Sequence, residues 1–369
     1  MAQNLPPELI DLILGELQPN GNEAYNASGT RTIARCGLVC KQWLSFSRVH
    51  LFAHVELDEG SLEKLITIVE ASPFPISSFI RCVRLSFRRD GFEQGLRALG
   101  SLPRVKTLRI VMSNIVFTQN LARLAITFAN TSTVVFNGYQ FPFGDIMDAI
   151  SLFPSLADIE LNLAYLGHKP LLSTYRFPGR WHSLTIFMVQ DEMQKLFEVL
   201  FSLDTIPVLS SLSIHLDQSH ALDQRGKTGF LEKYLRHVGS RLRYLQIKSG
   251  QTGHYVGLPA LEYSTGLSCL DLQFTCEPGT PALRFVLRIV SHLQSRALTT
   301  ITVQVVSHDT TTFVPHEWQQ LDQALADARF SSLQAFTLQT PWPIFVAHIP
   351  DHMPLSKARG ILRVMVVHC

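Results

Sequence analysis

The sequence predicts an α/β protein in which a parallel β-sheet alternates with helices along most of the chain, after a short helical segment. Two observations predict this fold class. An apolar triplet with the spacing L-x-x-L-x-L recurs twelve times after residue 50, and its last two positions have the two-residue period of a β-strand. The segment before residue 50 instead shows the steps of three and four that are typical of an α-helix.

The chain begins with a predicted amphipathic helix, in the segment LPPELIDLILGEL at residues 5–17. Pro6 and Pro7 fit the first turn, where a backbone N–H has no partner to lose, and Glu8 suits the positive end of the helix dipole. The apolar residues that recur on one face are Leu9, Ile10, Ile13, Leu14 and Leu17. We expect this face to be buried against another element.

A second apolar segment, LVCKQW at residues 38–43, follows a polar insert at 18–31. The insert reads QPNGNEAYNASGTR, and its Asn and Gly content predicts a mobile loop. Chains shorter than about 40 residues rarely fold unaided. We therefore expect this N-terminal region to pack on a partner or on the chain that follows it.

Together the two segments resemble the F-box, the three-helix module with which substrate receptors dock onto the Skp adaptor of cullin-based ubiquitin ligases. The match comprises the Leu-Pro-x-Glu-Leu start at 5–9 and Leu-Val-Cys-Lys-x-Trp at 38–43, continuing to Leu51 and Phe52. The insert at 18–31 is longer and more polar than the usual link in that family. The resemblance implies that seven residues form the adaptor-binding surface: Leu5, Pro6, Ile10, Leu38, Val39, Cys40 and Trp43.

The remainder of the chain, 51–369, is predicted to contain about twelve strand-helix units. The residue between the last two triplet positions is polar or charged in ten of the twelve copies, as expected for strands with one face outside the core. The middle triplet residues follow one another at 25 to 35 positions: Val55, Val83, Leu108, Val134, Ile159, Leu184, Leu212, Leu245, Leu270, Ile301, Phe336 and Val364.

Segments with helical spacing lie between the predicted strands. They are 61–71, 118–129, 144–153, 190–201, 228–238, 281–296 and 315–328. The segment 166–180 carries two prolines and is predicted to be a loop. Because a single unit can bury its apolar face only on its neighbours, the pattern predicts an array of stacked units.

This period and pattern resemble the leucine-rich repeat, in the degenerate form found in many F-box proteins. The resemblance implies a solenoid: a curved parallel sheet with outer helices, extending over 51–369 behind an F-box-like module at 1–50. The Asn or Cys that follows the strand in regular repeats is mostly absent. The combination of the two parts is similar to the F-box-like proteins of mushroom-forming fungi.

Composition excludes several function classes. The net charge is +2, and no basic stretch is interleaved with aromatic residues, so we expect no nucleic-acid partner. No run of 18 apolar residues could span a bilayer, and no signal peptide is recognisable, so we expect no membrane partner and a location in the cytoplasm or nucleus. The six cysteines are then expected to be free thiols.

Motifs of catalysis and metal binding are incomplete. Gly-Lys-Thr at 226–228 lacks the glycine of a phosphate-binding loop, because Ala221 stands at that position. The segment HEWQQ at 316–320 has Gln320 where a zinc-protease helix needs its second histidine. We therefore expect no enzyme activity, no cofactor and no metal in this chain.

The exposed face of the sheet is the remaining candidate for function, as the surface that would hold a protein substrate. Aromatic and arginine side chains anchor most interfaces, which favours Arg84, Arg109, Phe187 and Tyr244. The preferred hypothesis is a non-catalytic substrate receptor of a Skp-cullin-F-box ligase. Two alternatives stay open: a protein-binding repeat scaffold whose N-terminal helices only cap the array, and an enzyme with a dispersed site.

Overall fold

The computed structural model describes most of the chain, and the predicted α/β class is confirmed there. The described residues are 5–17, 27–87, 95, 97, 102–112, 121–167, 181–202, 206–217, 229–249, 259–276, 282–307 and 314–367. The Gly-Lys-Thr segment and residues 168–180 of the predicted loop lie outside these ranges; Gly167 still belongs to a strand. None of the described helices has both the length and the apolarity to cross a membrane.

Twelve strands and twelve α-helices are present in the described residues. The strands are β1 His54–Leu57, β2 Cys82–Phe87, β3 Thr107–Met112, β4 Thr133–Pro142, β5 Asp158–Gly167, β6 Ser183–Val189, β7 Ser211–Asp217, β8 Tyr244–Ser249, β9 Cys269–Cys276, β10 Thr300–Ser307, β11 Ala335–Thr340 and β12 Leu362–Val366. The helices are α1 Pro7–Glu16, α2 Ala27–Cys36, α3 Lys41–Ala53, α4 Glu59–Ala71, α5 Leu121–Thr127, α6 Phe143–Leu152, α7 Gln190–Ser202, α8 Gly229–Val238, α9 Ala282–His292, α10 Pro315–Leu325, α11 Pro343–His352 and α12 Pro354–Ala358.

The chain forms two compact units. The first holds the described residues up to Leu156, together with Gly167, and the second holds the others. The first unit thus contains α1 to α6 with β1 to β4, and the second contains most of β5 and the elements that follow. Residues 27–31, predicted to be part of a loop, instead form the start of α2.

Within each unit the strands pair in chain order, and each of these pairs is parallel. The predicted middle triplet residues stand opposite one another. In the first unit these are Val55, Val83, Leu108 and Val134. In the second unit they are Ile159, Leu184, Leu212, Leu245, Leu270, Ile301 and Phe336. The repeat register is therefore confirmed for these eleven copies.

The last strand departs from the predicted register by two residues. Leu362, and not Val364, stands opposite Phe336. The strand begins earlier because Gly360, with φ +71°, reverses the chain directly after α12, and the carbonyl of Ile361 already accepts the N–H of Phe336. A shift of two positions leaves each side chain on its predicted face, whereas a shift of one would have exchanged the faces.

The core lies on the side of the strands that the helices cover. Alternate strand residues are almost fully buried, for example Leu270, Leu272 and Phe274 on β9. Helices α4, α6, α7, α9 and α11 contact β1, β4, β6, β9 and β12 respectively. Burial of each large aliphatic side chain contributes roughly 1.5–3 kcal/mol, so these rows supply most of the stabilisation.

A ladder of shared carbonyls runs across the starts of the strands. At eight strand starts, two successive N–H groups donate to one carbonyl of the preceding strand-helix repeat. The acceptors are the carbonyls of Arg81, Lys106, Ala157, His182, Ser210, Arg243, Ser268 and Thr299. In four of these repeats a side-chain hydroxyl also donates to the shared carbonyl; the donors are Ser132, Ser210, Ser268 and Thr299. The apolar spacing does not indicate this row, although the residue after the first triplet position carries it.

Charged side chains of the second unit tie neighbouring helices together. The buried Asp322 on α10 accepts hydrogen bonds from the N–H groups of Leu355 and Ser356, both at 2.8 Å. It thereby caps α12, which belongs to the next strand-helix repeat. Arg359 returns the contact by donating to the carbonyls of Leu325 and Phe330. Each strand-helix repeat therefore satisfies backbone groups that its neighbour cannot satisfy alone.

Replacing Asp322 by Ala should destabilise the second unit by about 2 to 4 kcal/mol, because two charge-assisted hydrogen bonds are lost and two backbone donors are left unpaired. Urea unfolding monitored by circular dichroism measures the effect, and hydrogen exchange at 354–359 locates it. Asp351→Ala is the control: that carboxylate is exposed, and its loss should cost no more than about 0.5 kcal/mol. Equal stabilities of the two variants would contradict the capping role.

Candidate functional site

The N-terminal helices form a small three-helix bundle. Helix α3 packs against both α1 and α2, and the core of the bundle consists of Ile10, Leu14, Ile33 and Trp43. Six partly buried residues surround this core: Leu5, Leu17, Cys36, Cys40, Phe46 and Leu51. The bundle thus buries part of the predicted apolar face of α1: Ile10 and Leu14 are covered, whereas Leu9 and Ile13 are exposed.

A tight turn and a side-chain hydrogen bond fix the geometry of the bundle. A Cβ on Gly37 would lie 3.2 Å from the carbonyl oxygen of Ala34 and 3.4 Å from Leu44, so only glycine fits between α2 and α3 without displacement. Nε2 of His50 on α3 lies 2.8 Å from Oδ1 of Asp11 on α1. These contacts fix the positions of the three helices, and of the α2–α3 turn, relative to one another.

The bundle is continuous with the first strand. Helix α3 crosses the boundary expected after residue 50 and ends at Ala53, whose carbonyl accepts the N–H of Arg81. The guanidinium of Arg48 lies 4.1 Å from the centre of the Phe74 ring, a further contact with the chain beyond α4. The helices and β1 to β4 are accordingly parts of one compact unit.

The seven residues expected at an adaptor surface fall into three groups. Leu38 is 85% exposed and Val39 is 47% exposed, both in the α2–α3 turn. Pro6 is also exposed, while Leu5 and Cys40 are half-buried. Ile10 and Trp43 lie in the bundle core. Ile10 has no exposed surface and Trp43 is 7% exposed, so these two side chains serve mainly to hold the bundle together.

Helix α1 presents a second apolar stripe, and it includes Leu9 and Ile13, which the helical spacing places on the buried face. Leu9, Leu12 and Ile13 are exposed, Leu12 at 60%. Their spacing of three and one places them on one side of the helix, next to the buried stripe of Ile10 and Leu14. Because α1 is apolar around so much of its circumference, its pattern alone does not show which stripe is covered.

The four expected substrate contacts divide between the two units. Arg84 and Arg109 stand opposite each other on β2 and β3. Phe187 on β6 is 45% exposed, and its ring meets that of His215 edge-on at 4.0 Å. Tyr244 on β8 is held differently, by its own hydrogen bond within the sheet face.

The hydroxyl of Tyr244 donates to Oδ2 of Asp271 at 2.6 Å. Burial, followed by this bond to a carboxylate, raises the pKa of Tyr244 well above its usual value. On the neighbouring strand β7, Ser213 donates to the side-chain oxygen of Gln246 on β8 at 2.7 Å. The face of the second unit therefore carries polar groups held by hydrogen bonds on β7 to β9, next to the strand that bears Phe187.

The HEWQQ segment has a structural role. Glu317, from the HEWQQ segment, is buried and receives Nε of Arg284 at 2.8 Å, which joins α9 to α10. The described residues hold no group of histidine, cysteine and carboxylate side chains that could bind a metal ion. Cys36, Cys40, Cys82 and Cys269 are free thiols, and burial raises the pKa of Cys82 and Cys269.

Comparison with known proteins adds no identification. A scan of the chain against models of protein families finds no match, and no curated protein matches it either. The function is therefore inferred from the residues and their geometry.

A matched pair on α1 tests the assignment of core and surface. Ile10→Ala should destabilise the bundle by about 2–5 kcal/mol, because it opens a cavity in a fully buried site. Leu12→Ala removes a similar side chain from an exposed position of the same helix and should cost no more than about 0.5 kcal/mol. Hydrogen exchange over 7–16 in the full chain measures both, and equal protection would contradict the assignment.

Proposed function

We propose that this chain is a non-catalytic substrate receptor of a Skp-cullin-F-box ubiquitin ligase. In this proposal the bundle of α1, α2 and α3 is an F-box that docks onto a Skp-type adaptor. The strand-helix units form a leucine-rich-repeat solenoid that holds a protein substrate. The role belongs in the cytoplasm or nucleus, where such ligases act, and the transfer chemistry belongs to other subunits.

The observation that carries the proposal is the apolar surface on an otherwise packed bundle. Leu38 is 85% exposed in a turn fixed by Gly37, and Leu12 is 60% exposed on α1. Water contact with apolar surface costs roughly 25 cal/mol per Å², so a partner that covers these side chains gains affinity. Leu9, Leu12 and Ile13 share one side of α1, and clustered exposed apolar residues mark protein interaction sites more often than scattered single residues do.

The repeat pattern supports the second half of the proposal. Arrays of stacked units commonly bind partners through the strand face, because it presents many side chains at once. Here that face carries Arg84, Arg109, Phe187 and Tyr244 beside a row of hydroxyl and amide groups. A receptor acts by proximity: it turns a chance encounter of ligase and substrate into an intramolecular step with a raised effective concentration.

A second candidate function is a repeat scaffold in which the bundle only caps the array. The continuity of α3 with β1 favours it, since terminal units of repeat arrays need a cover. The two candidates differ in what they require of the exposed residues. A cap needs Ile10 and Trp43 in place but has no use for an exposed Leu38.

Replacing Leu38 by Asp should abolish capture of a purified Skp-type adaptor from a mushroom-forming fungus, because a buried, unpaired carboxylate would face the partner. Pull-down with the full chain, followed by titration calorimetry, measures the effect. Ile126→Asp is the matched control, as Ile126 is 63% exposed on α5 of the same unit but lies outside the bundle. That variant should capture the adaptor as the original chain does.

Failure of the original chain to capture the adaptor would favour the cap. Capture that is equally strong with Leu38→Asp would contradict the docking surface proposed here. Circular dichroism of both variants keeps loss of fold apart from loss of contact, since neither substitution touches the bundle core.

A further inference from the structure

One row of side chains crosses the strand face of the second unit from β6 to β12. Its successive members stand opposite one another on paired parallel strands: Phe187, His215, Lys248, Gln273, Gln304, Gln339 and Met365. Adjacent strands are about 4.8 Å apart, so the row extends over roughly 29 Å of the sheet. Its register presents these side chains together on one surface.

Three successive members of this row are half-buried side-chain amides, on β9, β10 and β11. Gln273, Gln304 and Gln339 make no hydrogen bond through their side chains within the described part of the chain. In the preceding row of the same face, the hydroxyls of Thr302 and Thr337 are likewise unbonded to described residues. Each amide has two N–H donors and an acceptor oxygen, so this part of the face offers neutral donors and acceptors together.

A peptide main chain is the complement of such amides. Each peptide group carries one N–H donor and one carbonyl acceptor, and a single side-chain amide can bond both. A nucleic-acid backbone instead presents charged acceptor oxygens, and it is usually bound by a basic stripe longer than one lysine. The neutral amides therefore favour an extended peptide over a nucleic acid.

Exposed apolar side chains stand at the two ends of the row. Phe187 is 45% exposed and Met365 is 43% exposed. The ring of Phe187 is held edge-on against that of His215 at 4.0 Å, and aromatic side chains are frequent anchors of protein interfaces. The amides begin three strands away from Phe187, too far for one sugar ring to contact both. Separate apolar ends and central amides suit a peptide with apolar side chains near its own ends.

Lys248 supplies a charge between the aromatic end and the amides. It is the only lysine, arginine or carboxylate side chain among the seven members, and it makes no ion pair within the described residues. In the preceding row, Asp271 already accepts the hydroxyl of Tyr244, and Arg363 lies four strands away on β12. The ammonium group of Lys248 is therefore accessible to an acidic side chain of a ligand.

We propose that this row binds an extended segment of a protein partner that crosses the strands of the second unit. Apolar side chains of the segment contact Phe187 and Met365, an acidic side chain pairs with Lys248, and main-chain groups bond the amides. The proposal deepens the proposed function, on which it rests for the identity of that partner as a captured substrate. At about 3.3 Å per residue, about nine residues span the row, with the acidic residue about three positions from the apolar residue at Phe187.

Fluorescence anisotropy of two labelled peptides with the full chain tests the proposal. The peptides are LTSETSTSL and its reverse, LSTSTESTL, because the row does not fix the direction of the segment. We expect saturable binding of one of them, weakened about three- to tenfold by Gln304→Ala and by Lys248→Gln. Gln323→Ala, at an exposed glutamine of α10 on the helix side of the unit, should leave the affinity unchanged.

Two changes in the bound peptide separate the parts of the site. Replacing its Glu by Gln should weaken binding to the original chain but add nothing to the effect of Lys248→Gln, because both changes remove the same ion pair. Replacing its three central peptide groups by esters removes their N–H donors and keeps every side chain, and should weaken binding about threefold or more. Equal affinities of the ester and amide forms would contradict main-chain recognition.

The proposal is overturned if neither peptide binds with a Kd below about 1 mM, or if Gln304→Ala and Gln323→Ala have equal effects. Saturable binding of chitohexaose or of a single-stranded oligonucleotide that Gln304→Ala abolishes, without binding of either peptide, would assign the row to a sugar or a nucleic acid instead. Circular dichroism of each variant shows whether the strands remain folded.

These outcomes are separable from the proposed function. Capture of the Skp-type adaptor depends on the bundle and does not involve the second unit. If adaptor capture holds while both peptides fail to bind, only the present inference fails. If a peptide binds as expected while the adaptor is not captured, the ligase role fails and the peptide-binding row stands.

Discussion

The parallel register of the strands is the constraint on which the rest of this structure depends. Each strand-helix repeat places its apolar strand residues opposite those of the next repeat, so that Leu270 stands between Leu245 and Ile301. The helices therefore have a continuous apolar surface to cover. The shared carbonyls at the strand starts hold this register through the backbone, and hydroxyls such as that of Thr299 reinforce it. Because faces alternate along a strand, the same register fixes which polar side chains line up on the opposite side. The row of amides across β9, β10 and β11 is a direct consequence of it.

Much of the fold could be predicted from the sequence because each unit repeats one local rule. The spacing of the apolar triplets sets both the strand and its covered face, and this holds even where the first position is Thr131, which is fully buried. The rule fails at the last strand, where a glycine turn after α12 starts the pairing two residues early. The position of Gly360 relative to the strand is a matter of the turn geometry, and an apolar count does not contain it.

The candidate site was less predictable, for a physical reason. Apolar residues occupy most of the circumference of α1, so its pattern shows that two stripes exist but not which of them α3 will cover. Trp43 lies inside, where a large aromatic ring gains much from burial, while Leu38 lies outside, in the turn directly after Gly37. The same residue types therefore serve as core and as surface within one motif. Only the arrangement of the three helices separates them.

In the proposed complex, the exposed apolar residues of the bundle contact the adaptor and its core does not. Hydrogen–deuterium exchange of the full chain, with and without a Skp-type adaptor, distinguishes the two sets of residues. We expect new protection at residues 38–40 and along α1, with no change over the strands of the second unit. Unchanged exchange throughout residues 5–53 at saturating adaptor would contradict it.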